Sequence, residues 1–309
     1  MQFPDPNAGL SGDGPPYNFA GIPYMDQPRG QYRRRGCQRY LGCLVPLLII
    51  MLILAGVSFI GNITVSWGPT VIKVGAHPTL IVESQANEHT TIHIHVGDPG
   101  GQITLQSPHL FNLPFGFSDA YQKTGDAQTI IYDLPPTVSG IFDFTVPAQT
   151  DLKVDSNNAS VLIEGVTGQM TVMTISGSLT VRHCNLIGPS LLRSNSGELK
   201  ALEDHLSGSV ALDNNSGSLT YQGSLDPAGS YHFTGNGQPI TLTLPLNSAV
   251  HIDATTLNSG SITSNIPGVK AENASAGQAL HADLGTAPRA QLSLYNNGGN
   301  ITVNEQGGN

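Results

Sequence analysis

Between Ala159 and Tyr221, apolar and polar positions alternate in short runs that return every twenty residues. Val166, Leu186 and Leu206 make one apolar column; Val172, Leu192 and Leu212 make a second. Leu179, Leu199 and Leu219 make a third, and Val181, Ala201 and Tyr221 a fourth. The residues between them are polar or small, as with Thr171 and Ala211 or Thr180, Lys200 and Thr220, and Leu191 is the outlier. Period-two alternation marks a strand with one buried face, so each repeat predicts two short strands. Glycines keep the same time: Gly168, Gly188 and Gly208 recur at twenty, as do Gly177, Gly197 and Gly217. Flanking Ser and Asn suit corners, where residues that tolerate positive φ are expected. The pattern predicts an all-β fold, a β-solenoid resembling a parallel β-helix, with two-strand rungs of about 20 residues stacked so that the columns form one core. An antiparallel sandwich with short hairpins is the rival, and it leaves the columns unexplained.

Outside this stretch strands are expected at Leu80 to Glu83, Thr91 to Val96, Ile103 to Gln106, Thr129 to Tyr132 and Ile141 to Val146, then at Ile240 to Leu244, Val250 to Asp253, Ser261 to Ser264, Gln291 to Leu294 and Asn300 to Val303. A first strand is expected at Thr70 to Val74, and Pro267 to Pro288 reads as a long excursion. Dividing the span by its period gives about eleven rungs. The stretch Pro108 to Gln128 interrupts the strands with Phe111, Phe115, Phe117 and Tyr121. That aromatic loop is read either as a lid on an open end of the stack or as a contact surface.

The beginning of the chain has a different character. Residues 1–39 are rich in Pro and Gly and predict a disordered cytoplasmic tail. Arg33, Arg34, Arg35 and Arg39 then precede Leu41 to Gly61, twenty-one residues without a charge. As a helix this run is about 31 Å long, enough to cross a bilayer. The arginines set the N-terminus inside and the rest of the chain outside the cell, with membrane lipid as the partner of residues 41–61. A cleavable signal peptide is disfavoured by the long n-region and apolar run. The expected organisation is a tail (1–39), a transmembrane helix (40–61), a stalk (62–76), an extracellular solenoid (77–304) and a short tail (305–309).

Charge narrows the function. Five of the thirteen basic residues and three of the twenty-two acidic ones precede residue 62, so the remainder carries a formal charge of −11. A nucleic-acid partner is excluded on that balance. The three cysteines give no disulfide framework, and Cys184 reads as a buried small residue. His93 and His95 fall on the outward face of a strand; with no Cys or carboxylate at ligand spacing they read as surface, and no metal or other cofactor is expected. Glu203, Asp204 and His205 read as a solvated corner. No nucleophile elbow, phosphate loop or calcium nonapeptide is present. At the repeat's outward positions only Arg193 and Asp213 stack, so no catalytic residues are assigned.

The run Val146 to Val154, the Ser-Gly-x-Leu-Thr-Val repeats, Leu244 to Asp253 and the closing Leu292 to Val303 resemble a bacterial adhesin-like β-strand-repeat domain of unknown function. The resemblance spans about residues 76–304 and implies an envelope protein with a strand-repeat ectodomain. With it, the expected function is a non-catalytic surface or binding module on a single-pass anchor, with a surface glycan or protein as ligand. An envelope-state sensor acting through the tail is the alternative, and a polysaccharide-active enzyme a third.

Overall fold

A computed structural model describes residues 70–97, 100–106, 122–125, 128–134, 136 and 139–306, all within the unit Ser58–Asn309. The predicted tail, the apolar run 41–61 and the aromatic residues Phe111, Phe115, Phe117 and Tyr121 lie outside the described residues. Among the described residues no helix is long and apolar enough to cross a membrane.

The described chain is all-β, built as two mixed sheets of thirteen strands (sheet I) and twelve strands (sheet II). The predicted columns are register partners. Leu179 of Leu179–Arg182 pairs with Leu199 of Leu199–Ser207, which pairs with Leu219 of Leu219–Leu225, all parallel. On sheet II, Val172, Leu192 and Leu212 align in the same way across Met170–Thr174, Ser190–Ser194 and Ser209–Asn214. Each column is buried to 1% exposure or less, and burying one such aliphatic side chain contributes about 2–3 kcal/mol. Tyr221 stands over the small Ala201, its hydroxyl donating to the Ser224 carbonyl at 2.8 Å, so the bulky member of that column is accommodated without an orphaned polar group.

The chain alternates between the sheets, and each sheet holds nine strands in successive parallel pairing. That makes nine levels, about 38 Å of stacking, rather than the eleven obtained by division. The difference lies at the ends, where the chain leaves the repeat. Thr79–Ser84 lies between Thr129–Leu134 and Asp151–Ser156, so a later segment forms the outer level and the chain returns past the first. The far end mirrors this. Val250–Leu257 is laid down one place away from Ser230–Asn236, and Ala290–Asn297 fills the slot between them.

Antiparallel strands cover the outer levels. Gln102–Gln106 pairs on Gly140–Val146, and Thr70–Lys73 on Gln102–Gln106. At the other end the expected excursion contains a hairpin, Glu272–Ala274 with Gly277–Leu284, whose second strand runs antiparallel along Val250–Leu257. Its outward face is an alternating ionic row. His251 reaches Asp283 at 2.6 Å and Asp253 at 3.2 Å, and His281 reaches Asp253 at 2.6 Å. The hydrogen bond that His251 donates to Asp283 raises His251 above its ordinary value and lowers Asp283, and the one that His281 donates lowers Asp253. Charged edges of this kind discourage pairing with another chain.

The corner glycines have a different cause from the one expected. Of the six at the twenty-residue spacing, only Gly208 has positive φ, at 73°. At the others the next level is too close: a Cβ on Gly177, Gly197 or Gly217 would stand 2.0–2.1 Å from the carbonyl oxygen of Ala159, Gly177 or Gly197. Beside them, buried polar side chains close each corner. Thr174 donates to the Gly177 carbonyl at 3.0 Å, Ser194 to the Gly197 carbonyl at 2.9 Å, and Asn214 to the Ser218 carbonyl at 2.8 Å.

Candidate functional site

The outward side chains of sheet II stack level upon level. Asp133, Glu83 and Asp155 are register partners on three neighbouring strands, and the column continues through Met173, Arg193 and Asp213. Two residues further along, a second column rises at the corner, ending in Asn258 one place past Leu257, the register partner of Asn297. There the Asn215 amide donates to Asn195 at 2.9 Å, Asn236 to Asn215 at 2.9 Å, Asn297 to Asn236 at 3.1 Å and Asn258 to Asn297 at 2.6 Å. The ladder follows from parallel in-register stacking, which sets like residues one above another and lets each amide both donate and accept.

Between the columns runs an open groove of about 520 Å³, lined by Glu83, Asp133, Asp155, Met173, Ile175 and Asn195 among others. It continues past Arg193 into a hollow of about 380 Å³ beside Asp213, His232 and Thr234. Arg193 is held by Asp213, with Nη2 at 2.7 Å and Nε at 3.3 Å from the same carboxylate oxygen. The groove therefore offers carboxylate and amide partners for hydroxyl groups, and Met173 and the half-exposed Ile175 as apolar contacts.

The twenty-residue pattern showed Arg193 and Asp213 stacking on this face but missed Glu83, Asp133 and Asp155. The signal was present. Leu80-x-Val82-Glu83, Leu152-x-Val154-Asp155 and Ile130-x-Tyr132-Asp133 share one pattern, an acid following an apolar-x-apolar pair. Their spacings, 50 and 72 residues from Glu83, hid it from a search at twenty.

The other candidates lie elsewhere. His93 and His95 stand on the outward face of sheet I, with Asp143 and Glu164 on the flanking strands. Cys184 is buried; burial, and then the charge of Asp204, push its thiol up to about 12, so it is not a reactive thiolate. Asp204 is a correction to the solvated corner. Glu203 adopts positive φ (59°) at a register shift in Leu199–Ser207, turning Asp204 inward to 2% exposure. Its Oδ1 accepts the Cys184 N–H at 2.7 Å, and its buried Oδ2 accepts nothing. Burial raises this carboxyl to about 7.

Fold and site together define an all-β protein of two mixed sheets with a polar groove along one outer face. No family model and no curated protein matches the chain. Among solved structures it is similar to the crystal structure of a candidate cell adhesion protein from Clostridium sporogenes, at 12% identity and a TM-score of 0.35 over 77% of this chain and 100% of that one.

Proposed function

We propose that this chain is a single-pass, membrane-anchored surface protein whose β domain winds as a β-solenoid and acts as a non-catalytic, adhesin-like binding module. The observation that carries the reading is the in-register parallel stack, because it raises a column of asparagine amides beside a run of acids across successive levels and so suits a ligand that is itself extended. Hydroxyl-rich glycan chains fit a groove of carboxylates, amides and small apolar patches. The groove acids Glu83, Asp133 and Asp155 stand side by side on one column, about 4.8 Å apart, where they accept hydrogen bonds from ligand hydroxyls.

Binding of the full-length chain to a glycan array tests the reading. The expected result is retention of a set of glycans by the wild type, reduced at least about tenfold by Asp155→Ala together with Asn195→Ala, with no new reducing ends released. Undiminished binding by that double variant, or cleavage, sinks the groove assignment. The anchor rests on the arginine-flanked apolar run and has its own check. Protease added to intact cells is expected to digest the region after residue 62 and spare residues 1–39; the opposite pattern overturns the orientation.

A further inference from the structure

We infer that His93, His95 and Asp143 form a binding site for a zinc-type divalent cation on the outward face of sheet I. Thr90–Val96 presents His93 and His95 two residues apart on one face, and Gly140–Val146 pairs with it so that Asp143 is the register partner of His93. On the other side Ser160–Glu164 brings Glu164 opposite His95. The strand that carries the histidines is thus flanked by a carboxylate on each side, which fifty and seventy residues of intervening chain concealed.

The hydrogen bonds decide which ring nitrogens are available. His93 Nε2 stands 3.1 Å from Glu164 Oε2, and a carboxylate only accepts, so this nitrogen carries the proton of a neutral ring. His95 Nδ1 stands 3.2 Å from the Val96 carbonyl oxygen, which also only accepts, so the proton of that ring lies there. The remaining nitrogens, His93 Nδ1 and His95 Nε2, then present lone pairs. Both approach Asp143 Oδ1, at 2.9 and 3.3 Å. That oxygen is buried and accepts no hydrogen bond, so the contacts are short without the alignment a hydrogen bond needs.

Three acceptors converge here; the Thr145 hydroxyl donates to His95 Nε2 at 3.3 Å, but no proton lies between Asp143 Oδ1 and His93 Nδ1, which repel one another. A cation at their centre turns the repulsion into ligation. All three atoms lie within 4.8 Å of one another, and ligands about 2.0–2.2 Å from a tetrahedral zinc stand about 3.3–3.5 Å apart, so small side-chain movements suffice. The outer contacts match what such a site uses, with each ligating imidazole donating its other N–H to a carboxylate or a backbone carbonyl. On metal binding the Thr145 hydroxyl turns away from His95 Nε2, and solvent at these partly exposed side chains supplies the remaining coordination. The ion would tie Gly140–Val146, the outer level, to the level beneath it.

The test titrates the metal-free full-length chain with Zn²⁺ and with Co²⁺, following calorimetry and the visible absorption of cobalt. One equivalent is expected to bind, with the intense absorption of tetrahedral cobalt, and hydrogen exchange of the amides in residues 140–146 is expected to slow. Glu164→Gln weakens binding about 10- to 100-fold; His95→Ala and Asp143→Asn abolish it, with folding confirmed by circular dichroism; His251→Ala with His281→Ala leaves it unchanged. No saturable binding to folded wild type, or binding that survives Asp143→Asn and His95→Ala, overturns the site in favour of protonated histidines paired to the two carboxylates.

Discussion

Replacing Gly197 with alanine is expected to destabilise the domain by about 3–5 kcal/mol, far more than a glycine substitution at an ordinary turn. The new Cβ would stand 2.1 Å from the Gly177 carbonyl oxygen and 2.5 Å from its carbon, both backbone atoms of the level below. Neither can move alone. The levels on either side of this corner are tied by the Ser196 N–H to the Ile175 carbonyl at 2.9 Å and the Leu199 N–H to the Ser218 carbonyl at 2.9 Å. The Asn214 amide also binds the Gly197 carbonyl at 3.0 Å. Relief of the clash therefore requires separating a level from its neighbour, at the expense of hydrogen bonds and core contact together. Gly237 is the control. It has φ of 84° and open space around its Cβ position, so alanine there costs only the left-handed conformation, about 1–2 kcal/mol. Urea unfolding of the two variants measures the difference, and a Gly197→Ala no worse than Gly237→Ala rules out close stacking as the reason for the glycine period.

The middle of this fold was legible because its contacts are evenly spaced in sequence. Leu179, Leu199 and Leu219 are partners at twenty residues, so the period of the pattern is the period of the structure. At the ends that link breaks. Val250–Leu257 pairs with Ala290–Asn297 at a separation of forty, and the hairpin between them carries Glu272, Asn273 and Ala274 exposed, leaving no apolar alternation to read there. The groove was half legible for the same reason: Arg193 and Asp213 stand at the regular spacing, Glu83 and Asp133 do not. Asn195 and Asn215 read as corner residues, which they are, but their ladder with the strand residue Asn236 needs neighbouring levels that local sequence does not display. Glycine was placed correctly but explained correctly only at Gly208, since spacing reveals where the chain is tight but not whether φ or a neighbour makes it so.

Asp204 joins the unread features to a measurable consequence, because a charged residue beside Glu203 and His205 reads as surface until a single inserted residue turns it inward. At 2% exposure, with one oxygen bonded to the Cys184 N–H and the other bonded to nothing, its carboxyl is raised from the ordinary 3.8 to about 7. Burial is the main cause; the Cys184 N–H and the charge of His183 oppose it without cancelling it. The folded chain therefore holds this proton more tightly than the unfolded one, and stability from this group is complete below about pH 4 and lost as pH rises through about 7. The loss amounts to about 4 kcal/mol at about 1.4 kcal/mol per pH unit. Asp204→Asn keeps the acceptor for Cys184 and removes the ionisation. Its stability relative to wild type is expected to be flat below pH 4, to climb between pH 4 and 7 and to level off near 4 kcal/mol in its favour above that. Any cost of seating the new amide where Oδ2 lies shifts the whole curve without changing its slope. Unfolding measured at pH 4, 5.5, 7 and 8.5 separates the two contributions, and a difference that does not vary with pH means that Asp204 stays ionised in the core.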